Sequence, residues 1–502
     1  MDQAALERRC GKLSSILEIA RALAVERDLD SLLAMILQAA AHVAEADRCS
    51  IFLVDRDRND LWTRLAQGVG TLKEIRTPLG VGIAGHVAST GQAINIPDAY
   101  ADSRFNRAID QATGYRTRNI LTVPMRRAGG DEAGQVVGVL QALNRLDGKP
   151  FNEEDQELLE GLGGQAASAI DNAILHQEIQ RLFEGFVHAS VVAIESRDPT
   201  TAGHSERVAR LTVQLAKNLQ QVEKGPYARH VFSDEQLQEI RYAGLLHDFG
   251  KVGVREHVLV KANKLYPHEL EILESRFELI RRTAELESSR RQLALQKDHP
   301  SNLEARLHEE ELSLTAQLAE VDGLLEFVRT CNRPTVLAQG GFERLHEVAA
   351  LRFQAAAGPS PFLTDAEVTR LSITKGSLSE DERREIESHV THTYRFLSQI
   401  PWTRTLRRIP EIAYGHHEKL DGRGYPRKLE PGAIGLETRM MTISDIYDAL
   451  TASDRPYKKA VPHEKALDIL ASEASSGQLD PELFAIFVEA KVPTQVLGLG
   501  PK

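Results

Sequence analysis

The 502-residue sequence contains only three cysteines, Cys10, Cys49 and Cys331, and they form no CxxC pair. That scarcity argues against a disulfide framework and against a cysteine-ligated zinc site, and it favours a reducing compartment. No stretch of about 18 residues is apolar and free of charge, and residues 1–12 lack the apolar run of a signal peptide. We therefore expect a cytoplasmic protein that does not span a membrane.

Aromatic residues are also scarce, at 5%, and basic side chains are outnumbered, with 61 Lys and Arg against 72 Asp and Glu. The formal net charge of -11 argues against binding to a nucleic-acid polymer, because such proteins are usually basic. This net charge is still compatible with the binding of a small anionic ligand in a local basic pocket. The length allows several domains, and the abundance of Ala, Leu, Glu and Arg favours helix.

The first third of the chain changes its hydrophobic period from that of a helix to that of strands and back. Residues 10–46 are predicted to be helical, and four later runs have the alternation and turn residues of strands: 50–54, 61–66, 119–126 and 135–144. Helices that flank several antiparallel strands predict an α+β domain with one central sheet.

Residues 80–99 carry a Gly-rich run followed by Ile-Asn-Ile-Pro-Asp-Ala, and with their surroundings (about 15–180) they resemble a GAF domain. Residues 144–155 are similar to the NKxnFxxxD pattern of cyclic-nucleotide-binding GAF domains, with Arg145 in the Lys position and Gln156 where Glu is usual. The resemblance implies a sensor for a small molecule or cyclic nucleotide, with Asn144 and Asp155 as candidate ligand-binding residues. The alternative is a GAF domain that only dimerises, in which both side chains are structural.

Residues 152–194 keep an apolar spacing near 3.6 and are predicted to form one long helix. We therefore divide the chain into a GAF domain (1–175), a linker helix (176–195) and a second domain (196–490). In a parallel homodimer the GAF domain and linker helix could pair with their copies. The alternative is a helix that packs on its own chain.

The most informative motif is His416-His417-Glu418, followed by Asp421 and the loop that ends in Gly424-Tyr425-Pro426. Adjacent histidines cannot share one face of a helix or strand, so ordinary packing explains them poorly. Where a helix gives way to a loop, both imidazoles can turn toward one metal centre.

Further motifs precede and follow this one in a fixed order: residues 198–208, 245–253, 387–397, 441–450 and 454–459. Together with HHExxDGxGYP they are similar to the HD-GYP family. The resemblance implies an all-α HD-type metal phosphohydrolase domain that hydrolyses cyclic di-GMP to pGpG, with onward hydrolysis to GMP left open. Imidazole and carboxylate ligands without thiolates suit Fe, Mn, Zn, Ni or Co.

By the same resemblance, His204, His247, Asp248 and Asp445 hold one metal ion, and Asp248, His389, His416 and His417 hold another. The two ions, most readily Fe or Mn, share a hydroxide that attacks the phosphodiester. His247, Asp248 and Lys251 are the catalytic candidates, and the substrate-binding candidates are Lys251, Tyr425, Asp448, Arg455 and Lys458. Glu418 and Asp421 are expected to orient imidazoles.

Two departures from the family pattern affect this ligand set. Members with three metals carry a Glu four residues before the first ligand His, where this sequence has Thr200, so we predict two metals. The family also places a Gly four residues after the ligand His, where this sequence has Thr393. That position selects His389 over His392, which lies one helical turn away.

Residues 266–374 lengthen the interval between Asp248 and His389 beyond what is usual in the family. Two charged helical stretches, 267–296 and 302–330, are predicted to form an antiparallel hairpin, because Leu307, Leu314, Val321 and Val328 repeat every seven residues. The hairpin could serve dimer contact, partner binding or substrate access, or could only pack on its own domain.

Two other functions remain open on sequence grounds. The chain could be a catalytically silent effector that senses a cyclic dinucleotide, although the complete set of ligand residues favours an enzyme. It could also hydrolyse another cyclic dinucleotide such as 3′,3′-cGAMP, because the Gly-Tyr-Pro loop does not distinguish guanine from adenine.

Overall fold

The computed structural model describes residues 3–63, 75–127, 129, 133–198, 202–298, 300–334, 341–355, 357–452 and 460–498. The chain divides into two compact units, Met1–Gly185 and Phe186–Lys502. Within the described ranges, every helix is either too short or too polar to cross a membrane. The predicted fold class, an α+β GAF region followed by a largely helical region with an inserted hairpin, is confirmed.

The first unit alternates helices and strands as the hydrophobic pattern predicts. Its helices are α1 (Gln3–Leu23), α2 (Leu29–Val43), α3 (Gly82–Thr90), α4 (Arg107–Thr113) and the first part of α5 (Glu153–Arg197). Its strands are β1 (Ala46–Asp55), β2 (Asp60–Thr63), β3 (Ile75–Pro78), β4 (Ile94–Ile96), β5 (Ile120–Arg126) and β6 (Val136–Arg145). The sequence did not predict β3 and β4, and residues 64–66 of the predicted second strand lie outside the described residues.

The six strands form one antiparallel sheet in the order β3-β2-β1-β6-β5-β4. The central pair sets Ile51 opposite Leu140, so that apolar side chains of both strands enter the core. Helix α2 begins at the N-cap Asp28, whose carboxylate accepts the amide of Ser31, and it buries one apolar stripe in the same core. The start of α5 completes this core with Leu159, Leu162, Ala166 and Ile170.

The second unit is built almost entirely from helices. After the end of α5 it contains α6 (His204–Leu219), α7 (Asp234–Leu246), α8 (Glu256–Leu259), α9 (Pro267–Asp298), α10 (Leu303–Asn332), α11 (Gly341–Ala350), α12 (Asp365–Leu371), α13 (Glu380–Glu387), α14 (His389–Leu397), α15 (Ile409–Tyr414), α16 (Leu436–Thr451), α17 (His463–Ser475), α18 (Pro481–Glu489) and α19 (Val492–Leu497). A short 3-10 helix, Phe249–Gly253, follows α7. Helices α6 and α16 pack together in its main core, which therefore positions the residues that they carry.

The predicted insertion forms a subdomain with a core of its own. Helices α9 and α10 form the hairpin, in which Phe277 and Ile280 are buried with Val321 and Val328. Between α10 and α12 lie α11 and a two-stranded ladder of β7 (Arg352–Ala355) and β8 (Gly358–Pro361). Both strands have only four residues and β8 contains two prolines, so they give little of the alternation that identifies a strand.

The base of the insertion is tied to α13 by Glu382. Its carboxylate accepts hydrogen bonds from Lys261 Nζ at 2.8 Å, from Tyr266 Oη at 2.6 Å and from the amide of Ser379 at 2.8 Å. Burial raises the pKa of Glu382, but these donors outweigh burial and hold the pKa at about 2. The side chain of Glu382 is therefore ionised in the folded protein at neutral pH, and the carboxylate accepts all three hydrogen bonds.

Candidate metal centre

The residues predicted as metal ligands lie at four helix ends and in one helix interior. They are His204 at the start of α6, His247 and Asp248 just after α7, His389 at the start of α14, His416 and His417 just after α15, and Asp445 within α16. All are buried except His417, whose side chain is 27% exposed. Helix ends bring these residues from distant parts of the chain to one place.

Three of the imidazoles are fixed in the same way. The Nδ1 atoms of His247, His389 and His416 lie 2.7, 2.6 and 2.6 Å from the carbonyl oxygens of the residues three positions earlier. A carbonyl oxygen only accepts hydrogen bonds, so each Nδ1 carries the proton and each Nε2 presents a lone pair. All three Nε2 atoms are buried without a hydrogen-bond partner among the described residues. Buried nitrogens held in this tautomer are suited to metal coordination.

Asp248 lies between two groups of these ligand atoms. Its Oδ1 is 3.2 Å from Nε2 of His389, and its Oδ2 is 3.6 Å from Nε2 of His247 and 3.8 Å from Nε2 of His204. Three overlapping sets have their ligand atoms within 4.8 Å of one another: His389, His416 and His417; His204, His247 and Asp445; and His247, Asp248 and His416. The donor types and the unpartnered Nε2 atoms fit divalent transition metals, and the seven residues in these sets are those named from the sequence.

His204 is oriented by a carboxylate instead of a carbonyl. Its Nδ1 lies 2.7 Å from Oδ2 of Asp448, and its Nε2 lies 3.1 Å from Oδ1 of Asp445. Burial lowers the pKa of His204, but the bonds to Asp445 and Asp448 outweigh burial and raise the pKa to about 9. The carboxylates around this imidazole therefore favour a positive charge at its position, whether a proton or a metal ion provides it.

Asp448 corrects one of the sequence predictions. It was expected to contact substrate, but it is 1% exposed, and Arg207 binds both of its oxygens, at 2.7 and 3.1 Å. Asp448 therefore links Arg207 to His204 and orients that imidazole. The signal in the sequence is that Asp448 lies three residues after Asp445, on the same face of α16.

Lys251, a catalytic and substrate-binding candidate from the sequence, lies against the ligand set. Its Nζ lies 2.7 Å from Oδ2 of Asp248 and 3.3 Å from Oδ2 of Asp198. This ammonium group contributes to the lowered pKa of Asp248, against the opposing effect of burial. The other predicted phosphate contacts, Arg455 and Lys458, lie outside the described residues, as does Thr200.

Glu418 and Asp421 correct a second prediction, because neither carboxylate orients an imidazole in the structure. Glu418 is buried and accepts the backbone amides of Arg427 and Leu429 at 2.7 and 2.9 Å. Asp421 accepts the amide of Arg423 at 2.9 Å. Both residues therefore shape the loop that follows the histidine pair.

That loop carries Tyr425, the remaining predicted substrate contact. The centroid of its ring lies 4.7 Å from that of His417, and its amide donates to the carbonyl oxygen of His417 at 3.2 Å. Gly424 packs against the backbone of Lys419, and only glycine fits there, since a Cβ would lie 2.3 Å from the amide nitrogen of Lys419. The loop thus holds an aromatic ring beside the most exposed of the predicted ligands.

Thr393, which replaces the family's Gly, has a role that the sequence did not reveal. Its buried hydroxyl donates to the carbonyl oxygen of His247 at 2.9 Å and accepts the amide of Gly250 at 2.8 Å. Gly250 permits this contact, because a Cβ there would lie 1.8 Å from the carbonyl oxygen of His389. The imidazole of His392 lies against Gly253 instead, so the structure brings His389 and not His392 into the ligand set.

The candidate ligand-binding residues of the first unit are occupied by protein contacts. The Asn144 side chain accepts the amide of Arg118 at 2.6 Å and donates to Tyr115 Oη at 2.8 Å. Asp155 is 1% exposed and accepts from Arg145 Nε at 2.9 Å and from the amide of Asn152 at 3.0 Å. The structure therefore corrects their assignment as ligand-binding residues and supports the structural alternative.

Comparison with protein families assigns both units. Residues 28–170 match the GAF domain, residues 201–321 match an HD domain, and residues 364–483 match a second HD-domain description. The two HD matches lie on either side of residues 322–363 and together contain every predicted ligand. The chain therefore combines a GAF domain with an HD domain.

Among curated proteins, the chain is 34% identical over 180 residues to the dual 3′,5′-cyclic-AMP and -GMP phosphodiesterase 11 of Drosophila melanogaster. It is 35% identical over 184 residues to the probable 3′,5′-cyclic phosphodiesterase pde-5 of Caenorhabditis elegans. These alignments cover 33% and 34% of this chain but only 12% and 24% of the two relatives. Among solved structures, a GAF domain of a Coxiella burnetii phosphoenolpyruvate-protein phosphotransferase matches with 20% identity and a TM-score of 0.30, over 34% of this chain and 98% of that one.

Proposed function

We propose that the HD domain is a metal-dependent phosphodiesterase. One observation carries this proposal: three buried Nε2 atoms without partners converge with Asp248, whose two oxygens face different histidines. Two divalent cations held by this set, Fe(II) or Mn(II), would supply a nucleophile from water and neutralise phosphate charge. The phosphodiesterase activity named for the curated relatives agrees with that chemistry.

The protein's own groups account for binding and orientation of a phosphodiester. Asp248 and Asp445 keep the ligand imidazoles in a strongly anionic environment that selects cations. Lys251 can donate to a phosphate oxygen once it leaves a carboxylate, and Tyr425 presents its ring and hydroxyl beside His417. Neutral Nε2 atoms on His247 and His416 agree with pKa values that burial lowers.

Cyclic di-GMP is the proposed substrate and pGpG the main product. The support is the motif of residues 416–426, whose second half forms the loop that holds Tyr425 beside His417. A 3′,5′-cyclic mononucleotide is a second candidate, because both curated relatives are named for that activity. Either substrate supplies a phosphodiester, so only a comparison of substrates distinguishes them.

We further infer that the protein is a homodimer whose α5 helices pair in parallel, with the GAF domain regulating hydrolysis. Leu175, Ile179, Leu182 and Phe186 are 54%, 55%, 76% and 45% exposed, and they follow the 4-3-4 spacing of a coiled-coil seam. Asn172, three residues before Leu175, continues the seam as an exposed polar residue of the kind that sets register. A second copy of α5 would cover this stripe along its length.

The decisive experiment measures hydrolysis of cyclic di-GMP, 3′,3′-cGAMP, cyclic AMP and cyclic GMP by the full chain. The protein is purified anaerobically, stripped with chelator and reloaded with Fe(II) or Mn(II). We expect metal-dependent release of pGpG that is lost in His389→Ala and retained in His392→Ala, a matched histidine on the same helix outside the ligand set. Faster turnover of a cyclic mononucleotide would reassign the substrate. Retained binding of cyclic di-GMP without any turnover would identify a silent effector and refute the enzyme.

A further inference from the structure

Asp198 connects the end of α5 to the candidate metal centre. Helix α5 ends at Arg197, and Asp198 follows directly, with its amide bonded to the carbonyl oxygen of Ile194 at 3.1 Å. Its side chain is buried, and its Oδ2 lies 3.3 Å from Lys251 Nζ. Because Ile194 is buried as well, the position of this carboxylate is set by how the last turn of α5 packs.

The ammonium group of Lys251 lies between two buried carboxylates. It is 2.7 Å from Oδ2 of Asp248 and 3.3 Å from Oδ2 of Asp198. The same Asp248 oxygen lies 3.6 Å from the unpartnered Nε2 of His247. One oxygen of Asp248 therefore faces both a lysine cation and the position at which the proposed metal ion would bind.

A divalent cation on that oxygen would compete with Lys251 for its lone pairs and repel the ammonium charge. A buried ammonium group needs an anionic partner, because leaving it unpaired costs far more than moving it. Asp198 is a second carboxylate that already lies within hydrogen-bond distance of the ammonium group, at 3.3 Å.

We propose that Asp198 is a positioning residue that takes over the ammonium group of Lys251 when a divalent cation binds at Asp248. This inference rests on the metal site of the proposed function, and it names a route for regulation of that site. Displacement of the last turn of α5 moves Asp198, which changes how firmly Lys251 competes with the metal for Asp248. The helix that leaves the GAF domain thereby acts on metal affinity.

The test is a double-mutant cycle read out as Mn(II) affinity of the full chain, measured by calorimetric titration after chelator treatment. In Asp198→Asn, Lys251 keeps its contact with Asp248, so we expect Mn(II) affinity to fall by roughly tenfold or more, the equivalent of one charge-assisted hydrogen bond. In the Lys251→Met background, the same Asp198→Asn change is expected to have almost no effect. Asp198→Glu, which keeps the charge, is expected to recover most of the affinity.

Arg197→Gln is the matched control, because it changes the neighbouring exposed residue at the same helix end and is expected to bind Mn(II) as the wild type does. Unchanged affinity in Asp198→Asn would overturn the proposal. An equal loss of affinity with and without Lys251 would also overturn it, since Asp198 would then act on the fold and not through the lysine. A wild type that binds Mn(II) but hydrolyses none of the four cyclic nucleotides would refute the proposed activity alone and leave the cycle interpretable.

Discussion

The hydroxyl of Thr393 holds together two segments that carry predicted ligands. It bonds the carbonyl oxygen of His247 and the amide of Gly250, while Thr393 itself lies four residues after His389 on α14. Thr393→Val keeps the volume and the branched shape of the side chain but removes both hydrogen bonds. The carbonyl and the amide would then be left in a buried environment without this partner.

The cost of Thr393→Val follows from those two backbone groups. Each buried polar group that loses its partner costs about 1–3 kcal/mol, so the free energy of unfolding of the second unit should fall by roughly 2–6 kcal/mol. Thr393→Ser retains the hydroxyl and loses one buried methyl group, which costs about 1 kcal/mol. The valine variant should therefore be clearly less stable than the serine variant, although valine is the closer match in size.

The protein offers a specific probe for this measurement. It has two tryptophans, Trp62 in the first unit and Trp402 in the second. Trp402 donates its indole N–H to the carbonyl oxygen of Leu397 at 2.8 Å, at the end of α14. In a Trp62→Phe background, urea unfolding followed by fluorescence reports on the second unit alone, and chelator removes any stabilisation by bound metal.

The ranking of the two variants decides the outcome. If Thr393→Val unfolds at the same urea concentration as Thr393→Ser, or at a higher one, the hydroxyl does not carry the two hydrogen bonds and the reasoning is refuted.

Three further predictions concern other parts of the chain. Leu182→Glu should convert the dimer into a monomer in sedimentation velocity. Leu312→Glu, which changes another exposed leucine, on α10, should leave the dimer intact. If the Leu182→Glu variant also remains a dimer, the proposed pairing through α5 is contradicted. The pKa of Glu382 is held at about 2, below its ordinary value of 4.5, so its stabilising effect is present above pH 4.5 and is lost as the pH falls toward 2. Glu382→Gln should therefore lose less stability than the wild type over that interval in acid titration followed by circular dichroism, and an identical acid profile would count against the role of the anion. Asp155→Asn should lower the thermal unfolding midpoint of the first unit, because it removes the partner that Arg145 has on α5. The Mn(II) affinity should stay unchanged. A changed Mn(II) affinity with an unchanged unfolding midpoint would argue against a structural role of Asp155.

Much of the fold could be predicted because local pattern and tertiary environment agree. The apolar stripe of α2 faces the core as its spacing indicates, and Val321 and Val328 of the seven-residue repeat on α10 pack with Phe277 and Ile280 of α9. Strands β3 and β4 were not predicted, because strands of four and three residues are too short to show the alternation of apolar and polar residues. The ladder of β7 and β8 was missed for the same reason, and its Pro and Gly residues obscure it further.

The sequence predicted the ligand residues of the candidate site, but it did not predict which carboxylates orient the ligand imidazoles. Glu418 follows the histidine pair directly and was therefore expected to orient an imidazole, yet it binds the backbone of the loop. The carboxylate that does orient an imidazole, Asp448, is 244 residues away from His204 in the chain. Neighbours in sequence are often turned to different sides where a helix ends, so proximity along the chain is a poor guide to contact there.

The sequence by itself determined the residue types of the candidate metal centre, because imidazoles and carboxylates in that order and with those flanking residues serve few other purposes. It also indicated a largely helical second domain, because Ala, Leu, Glu and Arg are abundant. Only the tertiary structure decided that Thr393 joins α14 to the segment that follows α7, and that Asp198 contacts Lys251, 53 residues further along the chain. Such contacts depend on how separate helices pack against one another, and packing is a property of the whole core that no local pattern encodes.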